Sequence, residues 1–363
     1  MAQRARTPAA SRAARILAHL ARTHRPLTVT AIARDTRMPR TSAQGICDAL
    51  ARERMLSRGS DDSYWLGPRI AELGAVSRSS AHRALRFGLL IATRGNAYYT
   101  AMLEAADLDV RTVGGELIVR EADEDGDRQR RQWRQLMEDG IDVILIDAVE
   151  SGGFEELVDQ AQANGIPIVA VGSRIDDVDA SVTSDNTQAG LLAGHELISR
   201  LEDRSKVAII DGLRKDANAH RVAGFIEAIH ENPSLEIVAH GAGGHDSPAA
   251  GRMTAAQVLS ENKQVDAFFA VCDPIAFGVA ELLQEREVVA PIASVDGRRQ
   301  AVEQIRDGGP IVATAAQDPH SLIRTALNVA RELRDGMRPS QRAVQLPVRL
   351  ITAANAGGYS PWG

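Results

Sequence analysis

Ile141-Asp142-Val143-Ile144-Leu145-Ile146, followed by Gly165-Ile166-Pro167-Ile168-Val169, is the stretch that decides the fold. Two apolar runs of strand length flank a helix-length amphipathic segment. The alternation extends outward in both directions. Strand-length runs occur at Phe87–Ala92, Glu116–Arg120, Val143–Asp147, Ile166–Val171 and Val207–Asp211, then at Leu235–His240, Ala267–Val271, Ile292–Val295 and Ile311–Thr314. Such alternation implies parallel sheets wrapped by helices. Over about 270 residues it exceeds what one sheet needs. The expected fold class is therefore α/β, with two doubly wound parallel-sheet lobes.

The chain of 363 residues exceeds the roughly 250–300 at which a single core stops growing, so a further domain is expected. With 44% hydrophobic and 25% charged residues it is globular in composition. Two cysteines exclude a disulfide scaffold and a multi-cysteine zinc module, and the nine histidines show no metal-binding spacing. No apolar run approaches the ~20 residues of a membrane helix. Met1-Ala2-Gln3-Arg4-Ala5-Arg6 leads into no apolar signal core, so a cytoplasmic protein is expected. The net charge of −6 hides an asymmetry: residues 1–86 hold 16 arginines, no lysine and six carboxylates, a net of +10, against −16 for the rest. A basic head on an acidic body suggests that only the head meets a polyanion.

That head reads as a winged helix-turn-helix over residues 1–74, with a Ser- and Arg-rich linker at 75–86. Ala13, Ile16, Leu17, Leu20 and Ala21 share one face of a first helix. Thr28 can cap a second helix, Val29 to Asp35, which the segment before Pro39 ends. A third helix runs from about Thr41 to Glu53. Two short runs, Met55–Arg58 and Ser63–Leu66, flank the turn Gly59-Ser60-Asp61-Asp62 as a wing. Residues at the start of a third helix of this kind meet base edges in the major groove. Arg40 has the geometry to read guanine and Gln44 adenine, with Thr41 and Ser42 on phosphates, although Thr41 to Gln44 is equally a capping box. Arg37, Arg58 and the arm residues Arg4, Arg6 and Arg12 are expected on phosphates or in the minor groove. Asp48 is expected to sit at the edge of the contact or to pair with an arginine. Residues 12–74 resemble the DNA-binding domain of IclR-type transcription factors through Arg15-Ile16-Leu17, Leu27-Thr28, Met38-Pro39-Arg40-Thr41-Ser42 and Tyr64-Trp65-Leu66-Gly67-Pro68-Arg69. Arg37 departs from that family, which usually has a glycine there.

In parallel sheets ligands bind beyond the carboxyl ends of the strands. Those positions here hold Asn96, Tyr98 and Tyr99, then Asp147, Ser173-Arg174, Asn218 and His220, Cys272-Asp273, Asp296 and Gln317. Short hydrogen-bonding groups beside two of the chain's four tyrosines suit a small polyol or sugar, while each residue alone could equally be a cap or a solvated loop. Residues 86–355 resemble ribose-type periplasmic sugar-binding proteins and the effector domain of LacI-type repressors. The carriers are the two opening runs, Val182-Thr183-Ser184-Asp185-Asn186, Arg221-Val222-Ala223-Gly224-Phe225, Asp266-Ala267-Phe268-Phe269-Ala270, Ser294-Val295-Asp296-Gly297 and Ala313-Thr314-Ala315-Ala316-Gln317. The resemblance implies sugar contacts at Asn96, Tyr98, Tyr99, Asp296 and Gln317. It also implies hinge crossings near Asp185-Asn186, Gln317-Asp318 and Leu346-Pro347, giving lobe one as 86–185 with 318–346 and lobe two as 186–317 with 347–363. Three departures shift the expected pocket away from simple ribose: the arginine expected before Arg221 falls on Ala219, Cys272 replaces an asparagine, and Asp147 replaces another. Arg174 stands one step later than the family's arginine.

Together these readings predict a transcriptional regulator, a homodimer on double-stranded operator DNA, whose lobes clamp a small metabolite, most simply a sugar, and so alter DNA affinity. No cofactor, metal or membrane partner is expected. An α/β enzyme with a fused DNA-binding head is the alternative. It lacks a Gly-x-x-x-x-Gly-Lys phosphate loop and a Gly-x-Ser-x-Gly elbow, and Gly241-Ala242-Gly243-Gly244-His245-Asp246 does not have dinucleotide spacing. A Cys272 nucleophile would need His220 as base. A transport-associated receptor is disfavoured by the basic head.

Overall fold

The computed structural model describes residues 8–23, 26–59, 62–70, 72, 84–261, 264–337, 339 and 341–362. The chain divides into two compact units, Met1–Ala84 and Leu85–Gly363. Arg4, Arg6 and the linker positions 75–83 lie outside the described residues.

In the first unit, α1 (Pro8–Thr23) turns Ile16 and Leu20 inward, one helical turn apart. The Thr28 hydroxyl accepts the Ala31 N–H at 3.4 Å and caps α2 (Val29–Asp35). The turn that follows carries Arg37 at φ 53°, and Met38 N–H donates to Ala33 O, which brings the Met38 side chain into the core. α3 (Arg40–Arg52) starts directly after Pro39. The hairpin of β2 (Leu56–Arg58) and β3 (Ser63–Leu66) is joined on the far side of β3 by β1 (Leu27–Thr28), making a three-stranded antiparallel sheet. Two residues are too few to show a period, which is why β1 has no signature in the sequence. Ile16, Ile32, Cys47 and Tyr64 are fully buried at the centre. Burial, and Asp48 beside it, push the Cys47 thiol up to about 11, so it behaves as a small core residue.

The second unit contains two six-stranded sheets. The first is wholly parallel, in the order β14-β8-β7-β6-β4-β5. Its strands are β4 (Arg86–Ile91), β5 (Glu116–Glu121), β6 (Val143–Ile146), β7 (Ile168–Val171), β8 (Ala180–Ser184) and β14 (Ala343–Leu346). The second has the order β10-β9-β11-β12-β13-β15. It comprises β9 (Lys206–Asp211), β10 (Glu236–Ala242), β11 (Ala267–Ala270), β12 (Ile292–Asp296), β13 (Ile311–Ala316) and β15 (Arg349–Thr352), the last antiparallel to β13. Every side chain of β6 and of β7 is buried, as it must be in a strand covered on both faces, and the apolar runs follow from that. Three strands lack that signature. β8 is fully buried but built of Ala, Ser, Val and Thr, whose small polar groups hide it. β14 and β15 are edge strands of four residues with mixed burial.

The chain passes from the first sheet to the second after Ser184 and returns after Ala316. The following helix then packs Leu322, Ile323 and Ala326 into the first lobe's core. A third crossing joins β14 to β15 between Leu346 and Arg349. The strand order reverses at β4 in one sheet and at β9 in the other, which opens a crevice at the carboxyl ends of each. Two helices of the second lobe, α7 (Asn186–Ile198) and α8 (Asp216–His230) in chain order, touch backbone to backbone. A Cβ on Gly190 would lie 1.9 Å from Arg221 O, and one on Gly224 would lie 2.0 Å from Thr187 O.

Arg37 holds a left-handed conformation that costs a side chain roughly 1–2 kcal/mol. Arg37→Gly should relieve that cost, offset by about 0.4–1 kcal/mol of added unfolded-chain entropy. The first unit should therefore unfold at a higher urea midpoint with an unchanged slope. A lower midpoint would show that the turn is unstrained.

Candidate functional site

The two crevices face each other across a tight cavity, with only about 20 Å³ open to the centre of a water-sized sphere. From the first lobe, Asn96, Tyr98 and Tyr99 line it at the start of the helix after β4, with Asp147 directly after β6 and Gly172 directly after β7. Asn96 is also a cap: its side chain accepts the Tyr98 N–H at 3.0 Å. From the second lobe come Lys215, Ala217 and Arg221 around the start of α8, Asp246 from the loop after β10, Cys272 after β11 and Asp296 at the end of β12. Gln317 contributes from the crossing after β13. The Tyr98 and Tyr99 rings meet edge-on at 5.1 Å, and Trp362 packs on Tyr98 at 5.9 Å while its indole N–H donates to Gln317 O.

Seven of the residues singled out by sequence thus converge: Asn96, Tyr98, Tyr99, Asp147, Cys272, Asp296 and Gln317. Three do not. Arg174 is outside the lining. Asn218 is buried behind it and donates to Leu213 O and to Asp246, so it positions a carboxylate instead of touching the cavity. The His220 ring is half-exposed and bonds Asp216 O on its own helix. Arg221, two residues after Ala219, lines the cavity, so an arginine is present there although the sequence reading counted one as lost. Sequence reading missed Lys215 and Asp246 as well. Lys215 is one of only three lysines in an arginine-rich chain, a signal that was available. Asp246 gave none, arriving on a loop that follows a half-exposed edge strand.

The cavity holds two internal ion pairs and one carboxylate without a cation of its own. Lys215 Nζ lies 3.0 Å from Asp246. Burial opposes the lysine's charge, but Asp246 and Asp147 outweigh it and hold its pKa above the ordinary value. Asp246 is held below its ordinary value because Lys215, Leu213 N–H and Asn218 outweigh the cost of burial. Arg221 lies 3.4 Å from Asp296, whose other donor is the Gln317 amide at 2.7 Å. Behind Asp296, burial and the mutual repulsion of the two carboxylates raise the pKa of both Asp273 and Asp296 above the ordinary range. Asp147 is 2% exposed and its Oδ1 has no hydrogen-bond partner. Burial raises its carboxyl to about 6, against the opposing pull of Lys215 and Tyr99. The Cys272 thiol is driven well above its usual value by burial, with Asp246 and Asp296 adding to it, which removes the thiolate a nucleophile needs.

Hydroxyls from lobe one satisfy the open N–H groups at the start of α8. Ser151 Oγ accepts from Asp216 N–H at 2.8 Å and Ser173 Oγ from Ala217 N–H at 3.4 Å. At the rim His245 pairs with Glu124. The cleft is closed.

On the helix-turn-helix, Arg37, Arg40 and Thr41 are exposed, and Ser42 and Gln44 are half-buried. No side chain caps α3, so the capping box is not formed. Instead the Gln44 amide donates to Asp48 at 3.0 Å and to the Tyr64 hydroxyl at 3.2 Å, and Tyr64 donates to Asp48 at 2.8 Å. The two-bond reading of adenine expected of Gln44 is therefore unavailable: its N–H groups are engaged and only Oε1 remains. Arg58 pairs with Asp62 at 2.7 Å and lies 3.8 Å from Asp48.

Among known proteins, residues 87–337 match the family described as a periplasmic binding protein domain, and residues 9–60 match the IclR helix-turn-helix domain. The chain is similar to the ribose import binding protein RbsB of Bacillus subtilis (strain 168), with 24% identity over 279 residues, 76% of this chain and 90% of that one. It is similar to the HTH-type transcriptional repressor PurR of Escherichia coli O1:K1 / APEC, with 25% identity over 328 residues, 85% and 92% of the two chains. A solved ABC transporter solute binding protein from Mycobacterium smegmatis, with bound glycerol, superposes with a TM-score of 0.73 at 26% identity, covering 77% of this chain and 99% of that one.

Two outcomes follow from the side-chain geometry. Because the folded pKa of Asp147 lies above its unfolded value of about 3.9, its burden is absent below pH ~3.9, grows as pH rises, and is complete above pH ~6. Asp147→Asn should stabilise the empty second unit by about 3 kcal/mol at pH 7.5, with the gain shrinking toward pH 4; equal melting of the two proteins at both pH values would refute it. Asp48→Ala should free the Gln44 amide. Sequencing of duplexes selected from a random pool should then show adenine sharpened at one position by roughly 1–3 kcal/mol, and an unchanged preference would show that Gln44 does not read a base.

Proposed function

Because the chain belongs to the periplasmic binding protein domain family and carries an IclR helix-turn-helix domain ahead of it, we propose that it is an intracellular, homodimeric regulator whose cleft senses a sugar or polyol. It is a ligand-responsive DNA-binding transcriptional regulator. The observation that carries this reading is the pairing of a groove-sized helix, α3, with a closed interlobe cavity lined by tyrosines, carboxylates and amides. Carboxylate and amide groups suit hydroxyls, and the faces of Tyr98 and Tyr99 suit the C–H side of a small ring. Relatives named for ribose, and a neighbour holding glycerol, support that ligand class.

The ligand acts on the equilibrium between open and closed lobes. It bonds strand ends of both lobes at once, so it favours closure by its differential affinity for the closed form. In a homodimer, closure alters the separation of two α3 helices that must meet successive major grooves about 34–36 Å apart. Couplings of this kind are about 1–3 kcal/mol, or 5–150-fold. Contacts of Ser151 and Ser173 with the start of α8 form only when the lobes meet, and each is worth about 0.5–1.5 kcal/mol toward closure.

Mobility-shift titrations at fixed salt on the gene's own upstream DNA test this, with xylitol, ribose and myo-inositol as candidate effectors. A bound candidate should change DNA affinity by 5-fold or more. Ser151→Ala with Ser173→Ala should weaken that ligand by roughly 5–100-fold without altering ligand-free DNA binding to the same extent. Saturation of the cleft with no change in DNA affinity would reject the coupling.

A further inference from the structure

The charges around the cavity do not cancel. Lys215 is matched by Asp246 at 3.0 Å and Arg221 by Asp296 at 3.4 Å, which leaves Asp147 as the third carboxylate against two cations. Asp147 is 2% exposed, and its Oδ1 is buried without a donor. Tyr99 bonds the carboxylate, but no side chain donates to Oδ1. Across from it, a Cβ on Gly172 would come 2.7 Å from Asp147 Oδ2 and 2.9 Å from the Tyr98 hydroxyl, so only a glycine fits against these two groups and no side chain at that position can reach Asp147. A buried carboxylate oxygen left without a donor is costly, and in the closed site the missing donor comes with the ligand.

We propose that this pocket selects its ligand by charge: it takes sugars and polyols that are neutral or carry an amine presented to Asp147, and it rejects those bearing a carboxylate or phosphate. The inference rests on the sugar reading above and narrows it. A hydroxyl of the ligand donates to Asp147 Oδ1, and an ammonium at that place completes a third ion pair. An anionic group would face Asp147 in a medium of low dielectric, with both cations of the site already committed to Asp246 and Asp296.

Calorimetric titration of the full-length protein at pH 7.5 tests this with matched series. The probes are D-glucose, D-glucosamine, D-glucuronate and glucose 6-phosphate, the corresponding galactose set, ribose and ribose 5-phosphate, xylitol and myo-inositol. Every binder should be neutral or amine-bearing, and any uronate or phosphate should bind at least 10-fold more weakly than its parent. Asp147→Asn should weaken the best binder by about 10-fold or more and should narrow the gap between parent and uronate. A uronate or phosphate that binds as tightly as its parent overturns the inference and leaves the sugar reading standing, and the wild-type series alone is decisive if the variant does not fold. Undiminished binding by a folded Asp147→Asn protein overturns it too. Absence of binding by every class overturns the sugar reading, and the inference with it.

Discussion

The guanidinium of Arg221 is the tie on which the second unit's geometry depends. It is 5% exposed, and its Nε donates to Asn186 Oδ1 at 2.9 Å, its Nη1 to Val271 O at 2.8 Å and, more distantly, to Asp296. One side chain therefore joins the first residue of α7, the end of β11 and the end of β12. A buried cation is worth its desolvation only when several acceptors surround it. Here those acceptors are the strand ends that line the cavity. Whatever displaces Arg221 also displaces Asp296, and with it Gln317 at the crossing between lobes.

The same region explains what could and could not be read from the residues. Strands buried on both faces announce themselves by composition, so β6 and β7 were legible, and Asp147 was legible as a pocket residue because it directly follows one of them. The arginine expected of the pocket was assigned to Ala219, while Arg221, two residues on, is the one that lines the cavity. Lys215 precedes α8, and Asp246 ends a glycine-rich loop; neither is tied to a strand end by spacing. Their meeting at 3.0 Å is a tertiary fact. In the first unit Thr28 behaved as its local chemistry predicted. Gln44 did not, because Tyr64, twenty residues away on the wing, helps fix Asp48 and its amide partner.

Asp147 and the serines that cap α8 pull in opposite directions. The hydroxyls of Ser151 and Ser173 hold the cleft shut, while an unpaired carboxylate inside it makes the shut, empty state expensive. A sensor needs that tension. A clamp that closed as readily without its ligand would have little differential affinity left for the ligand to exploit.

Gly190 and Gly224 do not line the cavity, yet each sits where a methyl group would strike the neighbouring helix's backbone. They fix the distance at which α8 passes α7, and so how far Arg221 reaches toward its acceptors. Divergence of this lineage toward new ligands is thus channelled. The rim of strand ends can drift residue by residue, while the two hinge-side helices must be inherited as a matched pair.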